Sequence, residues 1–247
     1  MGRAHRAGAQ GASSQPSRIK APDVPDDRVG ALLVAERTLA RIRSRGAGEV
    51  IRLVGARLEE AVGSGDTLVV LSLAVEIQPS EREGCVFRSA TADDGDLYAR
   101  DIGTDSRRSF RARLSPTTSC FVVESNGRLV HATWVTTSGA WTRELRSYIR
   151  PPDRDAYVYE SFTRPEVRGR GVYPFALRRI ASDAAGRGLN KLWVAVEAGN
   201  PNSLRAVSKA GFRPVLKLEY RRRWGRLTVR VPAPGEPGRD GLRIERT

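Results

Sequence analysis

The amino-acid sequence predicts an α/β fold, with short strands and helices in one domain behind a helical N-terminal extension. Three stretches carry that prediction. "CFVVESNGRLVHATWV" sets two apolar runs around Asn126-Gly127, the pair that supports a type I′ hairpin turn. "DAYVYESFT" alternates like a strand and passes through a glycine-rich loop into an apolar helix from about Pro174 to Ala185. "KLWVAVEA", "NPNSLRAVSKAGF" and "RPVLKLEYRRRW" then read as strand, short helix and strand, with Asn at the helix start and Gly211 at its end.

The elements follow in order. Residues 1–25 are polar, small and Pro-containing and read as a disordered basic arm. The first residues have no apolar h-region, which argues against a secretory signal, and their acid-free, basic composition is also that of an organelle transit peptide. Residues 26–83 read as a helical extension plus one strand. Val29, Leu32, Leu33, Leu39 and Ile42 form one helical stripe, and Val50, Leu53, Val54, Leu58, Ala61 and Val62 a second. "TLVVLSLAVEI" (67–77) is the strand. From residue 84 the pattern changes. "CVFRSA" is a short strand, and Thr91 followed by acidic residues starts a helix. "SRRSFRARL" is another short helix, ended before Pro116. In the strand 155–163, Asp155, Tyr157, Tyr159, Ser161 and Thr163 share one face, and Ala156, Val158, Glu160 and Phe162 the other. The Pro/Gly-rich residues 231–247 read as a flexible tail.

Composition bounds the function. The chain has 247 residues, 40% hydrophobic and 28% charged, with a formal net charge of +14. No apolar run approaches the ~20 residues of a spanning helix. Cys85 and Cys120 lie far apart and His5 and His131 make no cluster with them, so neither a disulfide framework nor a metal site is indicated. A reduced, cytoplasmic setting fits. The charge predicts attraction to nucleic acid, a membrane surface or a phosphorylated cofactor, or else a solvated arginine-rich surface.

"RPEVRGRGVYPFAL" (164–177) is the most informative stretch. It lies between a strand and a helix, where the first helical N–H groups lack partners and favour an anion. Gly169 and Gly171 let backbone approach a phosphate closely, and Arg168 and Arg170 add charged donors. Pro174 suits the first helical turn. The stretch reads as a pyrophosphate cradle or, alternatively, as a Gly/Arg-rich surface turn. It is neither a Walker loop nor a dinucleotide-binding GxGxxG.

Together, "RGRGVY" and, after the next strand, "NPNS…KAGF" resemble the two motifs of the GNAT superfamily of acyl-CoA-dependent N-acyltransferases, over roughly residues 84–224. The resemblance implies a GNAT-type mixed, mostly antiparallel sheet whose fourth and fifth strands splay apart, flanked by helices, in a domain spanning 84–230. It implies an acetyltransferase using acetyl-CoA as acyl-donor substrate, without metal, on a primary amine of a small or sugar-like acceptor. The N–H groups of Arg168, Gly169, Arg170, Gly171, Val172 and Tyr173 would hold the pyrophosphate. The backbone of Ser161, Phe162 and Thr163 would pair with the pantetheine arm and acyl carbonyl. Asn200 would reach the pantetheine or cap the following helix, with Ser203 completing its motif. The family usually has Gly or Ala at Tyr173. Here only the N–H of Tyr173 is needed, its side chain pointing away from the phosphates or lying beside the cofactor.

Acyl transfer needs a neutral amine, and because a free alkyl amine has a pKa near ~10, a general base or a water chain must take its proton. Glu160 is the first candidate, with burial between Val158 and Phe162 raising its pKa, and Asp155 is the second. A structural ion pair with an arginine is the competing reading of Glu160. Many family members protonate the leaving thiolate with a tyrosine at the position of Val207. The acid is therefore unassigned, with Tyr157, Tyr159, Tyr173 and Tyr220 as candidates. His131 reads as a core or sheet-face histidine. The alternative to an enzyme is a GNAT-shaped binding module that docks RNA, the ribosome or a membrane surface through its Arg-rich first helix and "YRRRW".

Overall fold

The computed structural model describes residues 65–77, 80–223, 226–230 and 241–246. The basic arm, the two helices expected between residues 26 and 62, and residues 231–240 of the tail lie outside the described residues.

Eight strands form the main sheet, in the order β10-β9-β1-β8-β7-β4-β3-β2. They are β1 (Gly65–Ala74), β2 (Val86–Ser89), β3 (Thr118–Ser125), β4 (Arg128–Thr136), β7 (Asp155–Thr163), β8 (Lys191–Glu197), β9 (Arg213–Arg223) and β10 (Arg226–Arg230). A second sheet, in the order β11-β6-β5, contains β5 (Ala140–Thr142), β6 (Ser147–Arg150) and β11 (Arg243–Arg246). Among the described residues the α-helices are α1 (Gly95–Asp101), α2 (Arg107–Arg113), α3 (Val172–Gly186) and α4 (Pro201–Lys209). The sheet is mixed and mostly antiparallel, as the resemblance implies: only β7 and β8 run parallel, and α3 supplies the crossover that a parallel pair requires.

The hairpin forms as read. Asn126 and Gly127 carry φ of +50° and +69°, the left-handed pair that a type I′ turn needs, and β3 and β4 pair across it. Thr91 starts the segment leading to α1 and Ser106 caps α2, its side chain accepting the Ser109 N–H.

Two placements differ from the sequence reading. The strand grouped with the N-terminal extension is β1, and it lies in the middle of the sheet, antiparallel to both β8 and β9. Its unbroken apolar run is the signature of a strand covered on both faces. Val69 and Leu71 pack under α3 and α4, while Leu68 and Val70 pack under the small sheet. The second difference is β11, which falls within the stretch read as a flexible tail. Leu242 and Ile244 pack against the cluster that holds Trp193, Ile149 and Leu218, and this apolar alternation orders the segment against β6. The hairpin β5–β6, in a stretch that carried no sequence assignment, completes this second sheet.

The main sheet thus has two covered faces. Helices α3 and α4 lie on one. The small sheet and the pair α1–α2 lie on the other, the latter around Tyr98, Phe110 and Trp134. Among the described residues, no helix is long and apolar enough to cross a membrane.

Candidate active site

The parallel ladder between β7 and β8 stops at Val158↔Val194, although both strands continue. Beyond it β8 stays with β1, through Ala195↔Val70 and Leu68↔Glu197, and β7 stays with β4, through Phe162↔Ala132 and Thr163↔His131. The sheet opens between them on the face of α3 and α4. A cavity of about 1060 Å³ lies there. Every residue predicted to bind cofactor lines it except Arg170, which is exposed.

At the floor of the cavity the glycine loop meets α3. Gly169 and Gly171 have φ of +75° and +79°, conformations that favour glycine. A Cβ at Gly169 would meet nothing within 4 Å, and one at Gly171 only Arg82 Nη1 at 3.7 Å. Gly171 is the N-cap of α3 and offers no side-chain cap. The first helical bond runs from Phe175 N–H to the Gly171 carbonyl. This leaves the N–H groups of Val172 and Tyr173 without an intrahelical partner, on residues that line the cavity. Arg168 also lines it, but its Nε donates to the Thr163 carbonyl at 2.9 Å and its guanidinium lies over Phe162. It therefore ties the loop to the end of β7.

On the opposite wall, Asn200 caps α4 by accepting the Ser203 N–H at 3.1 Å, so the capping alternative is the one its side chain adopts. Sequence reasoning missed Arg205 and Lys209, which also line the cavity and face the same way one turn apart on α4. Their basic i, i+4 spacing was a legible signal.

The faces of β7 differ from simple alternation. Glu160 sits at φ +48°, and the register with β4 slips between Ala132 and Trp134. This bulge reverses the faces beyond it. Phe162 joins the cluster of Trp134 and Phe110, at whose edge Tyr159 lies, whereas Ser161 and Thr163 turn to the cavity. Glu160 is therefore not buried between Val158 and Phe162. Its side chain is 33% exposed and pairs with Arg113 at 2.9 Å. Arg113 is itself well covered, donates to Asp105, and lies 3.8 Å over the Trp134 ring. Asp155 is buried at the other end of β7, where its Oδ2 accepts the Trp193 N–H at 2.7 Å. That is about 20 Å along the strand from Ser161.

A chain of polar side chains runs behind the cavity wall. His131 is fully buried, its nitrogens bonded to the hydroxyls of Thr163 and Thr133, each at 2.7 Å. Burial pushes its pKa down to about 3, so the imidazole is neutral. Tyr173 lies with its ring 5.2 Å from that of His131 and packs against the core cluster that contains Val207. Burial pushes its phenol up from the ordinary tyrosine value. The side chain of Tyr173 thus lies in the cavity wall between His131 and the core.

The family model "Acetyltransferase (GNAT) family" matches residues 87–212 of the 247. No curated protein matches the chain. Among solved structures, the chain is similar to an acetyltransferase from the GNAT family of Novosphingobium aromaticivorans, with 20% identity over 63% of each chain and a TM-score of 0.45. It is similar to a GCN5-related N-acetyltransferase from Kribbella flavida, with 14% identity, 74% of this chain and 66% of that one covered, and a TM-score of 0.47. A third is an aminoglycoside acetyltransferase from an uncultured soil metagenomic sample in complex with sisomicin, with 9% identity, 52% and 88% coverage, and a TM-score of 0.41. The chain spans less than two thirds of the length of the first two.

Proposed function

The chain belongs to the acetyltransferase (GNAT) family, and we propose that it is an N-acetyltransferase moving an acetyl group from acetyl-CoA to the primary amine of a small or sugar-like acceptor. The observation that carries this reading is the uncapped N-terminus of α3, with two left-handed glycines, at the floor of a cavity beside an opened sheet. Such a terminus suits a pyrophosphate, because unpaired N–H groups and the helix dipole both favour an anion. Arg205 and Lys209 on the facing wall add positive charge for the other phosphate.

In this reading the N–H groups of Gly169, Gly171, Val172 and Tyr173 hold the pyrophosphate, those of Arg168 and Arg170 being taken by the carbonyls of Pro165 and Val167. The pantetheine arm lies in the gap beside Ser161–Thr163, where the β8-side backbone of β7 has left its ladder. Acetyl-CoA supplies the activated acyl group. The chain's residues orient it and manage protons. Glu160, next to Ser161 on the bulge, is the carboxylate we assign to accept the amine proton, directly or through water. Asp155 lies too far along β7 and is assigned instead to anchoring Trp193.

Calorimetric titration with CoA, run beside thiol release from acetyl-CoA over a panel of primary amines, tests the reading. The expected result is saturable CoA binding and amine-dependent thiol release. Folded protein that shows no CoA binding would overturn it.

A further inference from the structure

The arginines of the glycine loop are not the ones that bring charge to the start of α3. Arg168 is turned back to the Thr163 carbonyl and Phe162, and Arg170 is exposed and outside the cavity lining. The guanidinium that reaches the helix start belongs to Arg82. Its Nη1 lies 3.7 Å from the point where a residue at 171 would carry its Cβ. Arg82 precedes residues 87–212, the stretch that matches the family model, so it lies outside both family motifs.

The chain delivers Arg82 there by a fixed route, because the connection from β1 to β2 runs back along α3. The Val75 N–H donates to the Asn190 carbonyl at 3.0 Å, beyond the C-terminal end of the helix. Ser80 is buried, and its carbonyl accepts from Arg179 Nη1 at 3.1 Å, halfway along the helix. The Arg179 guanidinium in turn lies 5.4 Å over the ring of Phe87, which meets Phe175 edge-on at 6.5 Å. A turn then closes from the Cys85 N–H to the Arg82 carbonyl at 3.1 Å, with Gly84 at φ +66°. Cys85 and Phe87 pack against Val172 and Phe175 in the first turn of α3. The backbone of Arg82 is thus held on the helix start, with its side chain half-buried. Among the described residues it forms no ion pair. A partly covered guanidinium beside unpartnered helix N–H groups is an arrangement that an anion completes.

We propose that Arg82 is a donor-binding residue, which clamps the pyrophosphate of CoA against the N-terminus of α3 from outside the family domain, and that a filled site locks the β1–β2 connection onto the helix. This rests on the reading of the cavity as an acyl-CoA site. The helix offers neutral donors and Arg82 a charged, forked one, a pairing that suits a group with two charges and several oxygens.

The test uses the full chain with Arg82→Ala, Arg82→Lys and Arg179→Ala. Calorimetry of the wild-type protein with CoA comes first. If it does not bind, the reading of the cavity fails and this proposal fails with it. With binding in hand, CoA is compared with dephospho-CoA, which keeps the pyrophosphate and lacks the 3′-phosphate. In Arg82→Ala we expect both Kd values to rise by the same factor, about tenfold or more. The melting temperature of the free protein should stay within about 2 °C of wild type, because no contact inside the described fold is lost. Arg82→Lys keeps the charge without the fork and should weaken CoA by about threefold. Arg179→Ala, which releases Ser80, should also weaken CoA by about threefold. Hydrogen exchange reads the coupling: CoA should slow exchange of the Cys85 amide by about threefold or more in the wild type and leave it unchanged in Arg82→Ala. A folded Arg82→Ala protein whose Kd for CoA stays within about twofold of wild type overturns the proposal and leaves the cavity reading standing. Should the alanine variant not fold, an unchanged Kd in Arg82→Lys does the same. A loss confined to CoA, with dephospho-CoA binding as in the wild type, puts Arg82 on the 3′-phosphate and overturns the pyrophosphate assignment. A Cys85 amide indifferent to CoA, or an Arg179→Ala protein that binds as wild type, overturns the role given to the connection.

Discussion

Replacing Glu160 by Gln and, separately, by Gly distinguishes a carboxylate that takes a proton from one that holds a bend. The structure sets the stability side of the comparison. At φ +48° a non-glycine residue carries a backbone cost of about 1–2 kcal/mol. Glycine relieves that cost but returns about 0.4–1 kcal/mol of entropy to the unfolded chain. The ion pair with Arg113, one-third exposed at the carboxylate, contributes about 0.2–1 kcal/mol. Glu160→Gly should therefore lie within about 1 kcal/mol of wild type, and Glu160→Gln should lose no more than about 1 kcal/mol. Arg113 is not stranded in either variant, since Asp105 and the Trp134 face still hold it. Melting temperatures should move by only a few degrees. Activity should respond very differently. If Glu160 takes the amine proton, both variants lose about 10² or more in kcat, and the acidic limb of the pH–rate profile disappears, with the CoA Kd unchanged. Two folded variants that keep kcat within about threefold, and the acidic limb with it, would refute the assignment and leave Glu160 as the residue that shapes the bulge.

Further outcomes follow from the same geometry. Gly171→Asp should cost about 1–2 kcal/mol of stability from its φ of +79°, and should weaken CoA by about tenfold or more in calorimetry, because it sets a negative charge at the helix N-terminus proposed to hold the pyrophosphate. Leu71→Ala, in the central strand β1, should cost about 3 kcal/mol in denaturant unfolding, since Leu71 is 1% exposed between two layers. Asp101 accepts from the Leu129 N–H at 3.0 Å and from Arg100 and Arg128, and although burial alone would raise its pKa, these donors hold it at about 2. The folded carboxyl titrates below the unfolded one. Its contribution, about 2 kcal/mol, is therefore complete above pH ~4 and is lost as the pH falls toward 2. Acid-unfolding curves of Asp101→Asn should lack that part of the transition.

What was readable in the sequence is what local chemistry determines. Asn126-Gly127 can hardly sit anywhere but a left-handed turn, and Asn200 followed by Pro201 marks a helix start whatever surrounds it. The glycine loop was legible for the same reason: its two glycines and the helix behind them are neighbours in the chain. The partners of β1 were not. Its run "GDTLVVLSLA" signals a strand covered on both faces, but β8 and β9 lie more than a hundred residues away, and nothing local says that they close over it. The small sheet was missed for the same reason, since β11 becomes a strand only when Leu242 and Ile244 reach the core around Trp193.

The bulge at Glu160 is the instructive failure, because it changes the site itself. Period-2 alternation groups Ser161 and Thr163 with Tyr157 and sends Glu160 inward with Phe162. One residue in the left-handed region undoes both. It puts the Glu160 carboxylate beside Arg113 at the rim, and it turns Ser161 and Thr163 toward His131, Thr133 and Tyr173. Without that reversal the hydroxyls of Ser161 and Thr163 would face the α1–α2 layer, and His131 would be buried without its Thr163 partner. The tyrosine that breaks the glycine pattern and the glutamate that breaks the strand pattern are thus two parts of one arrangement. Each looks like a departure from local rules, and each makes sense only once the bulge has turned the end of β7 to the cavity that α3 and α4 line.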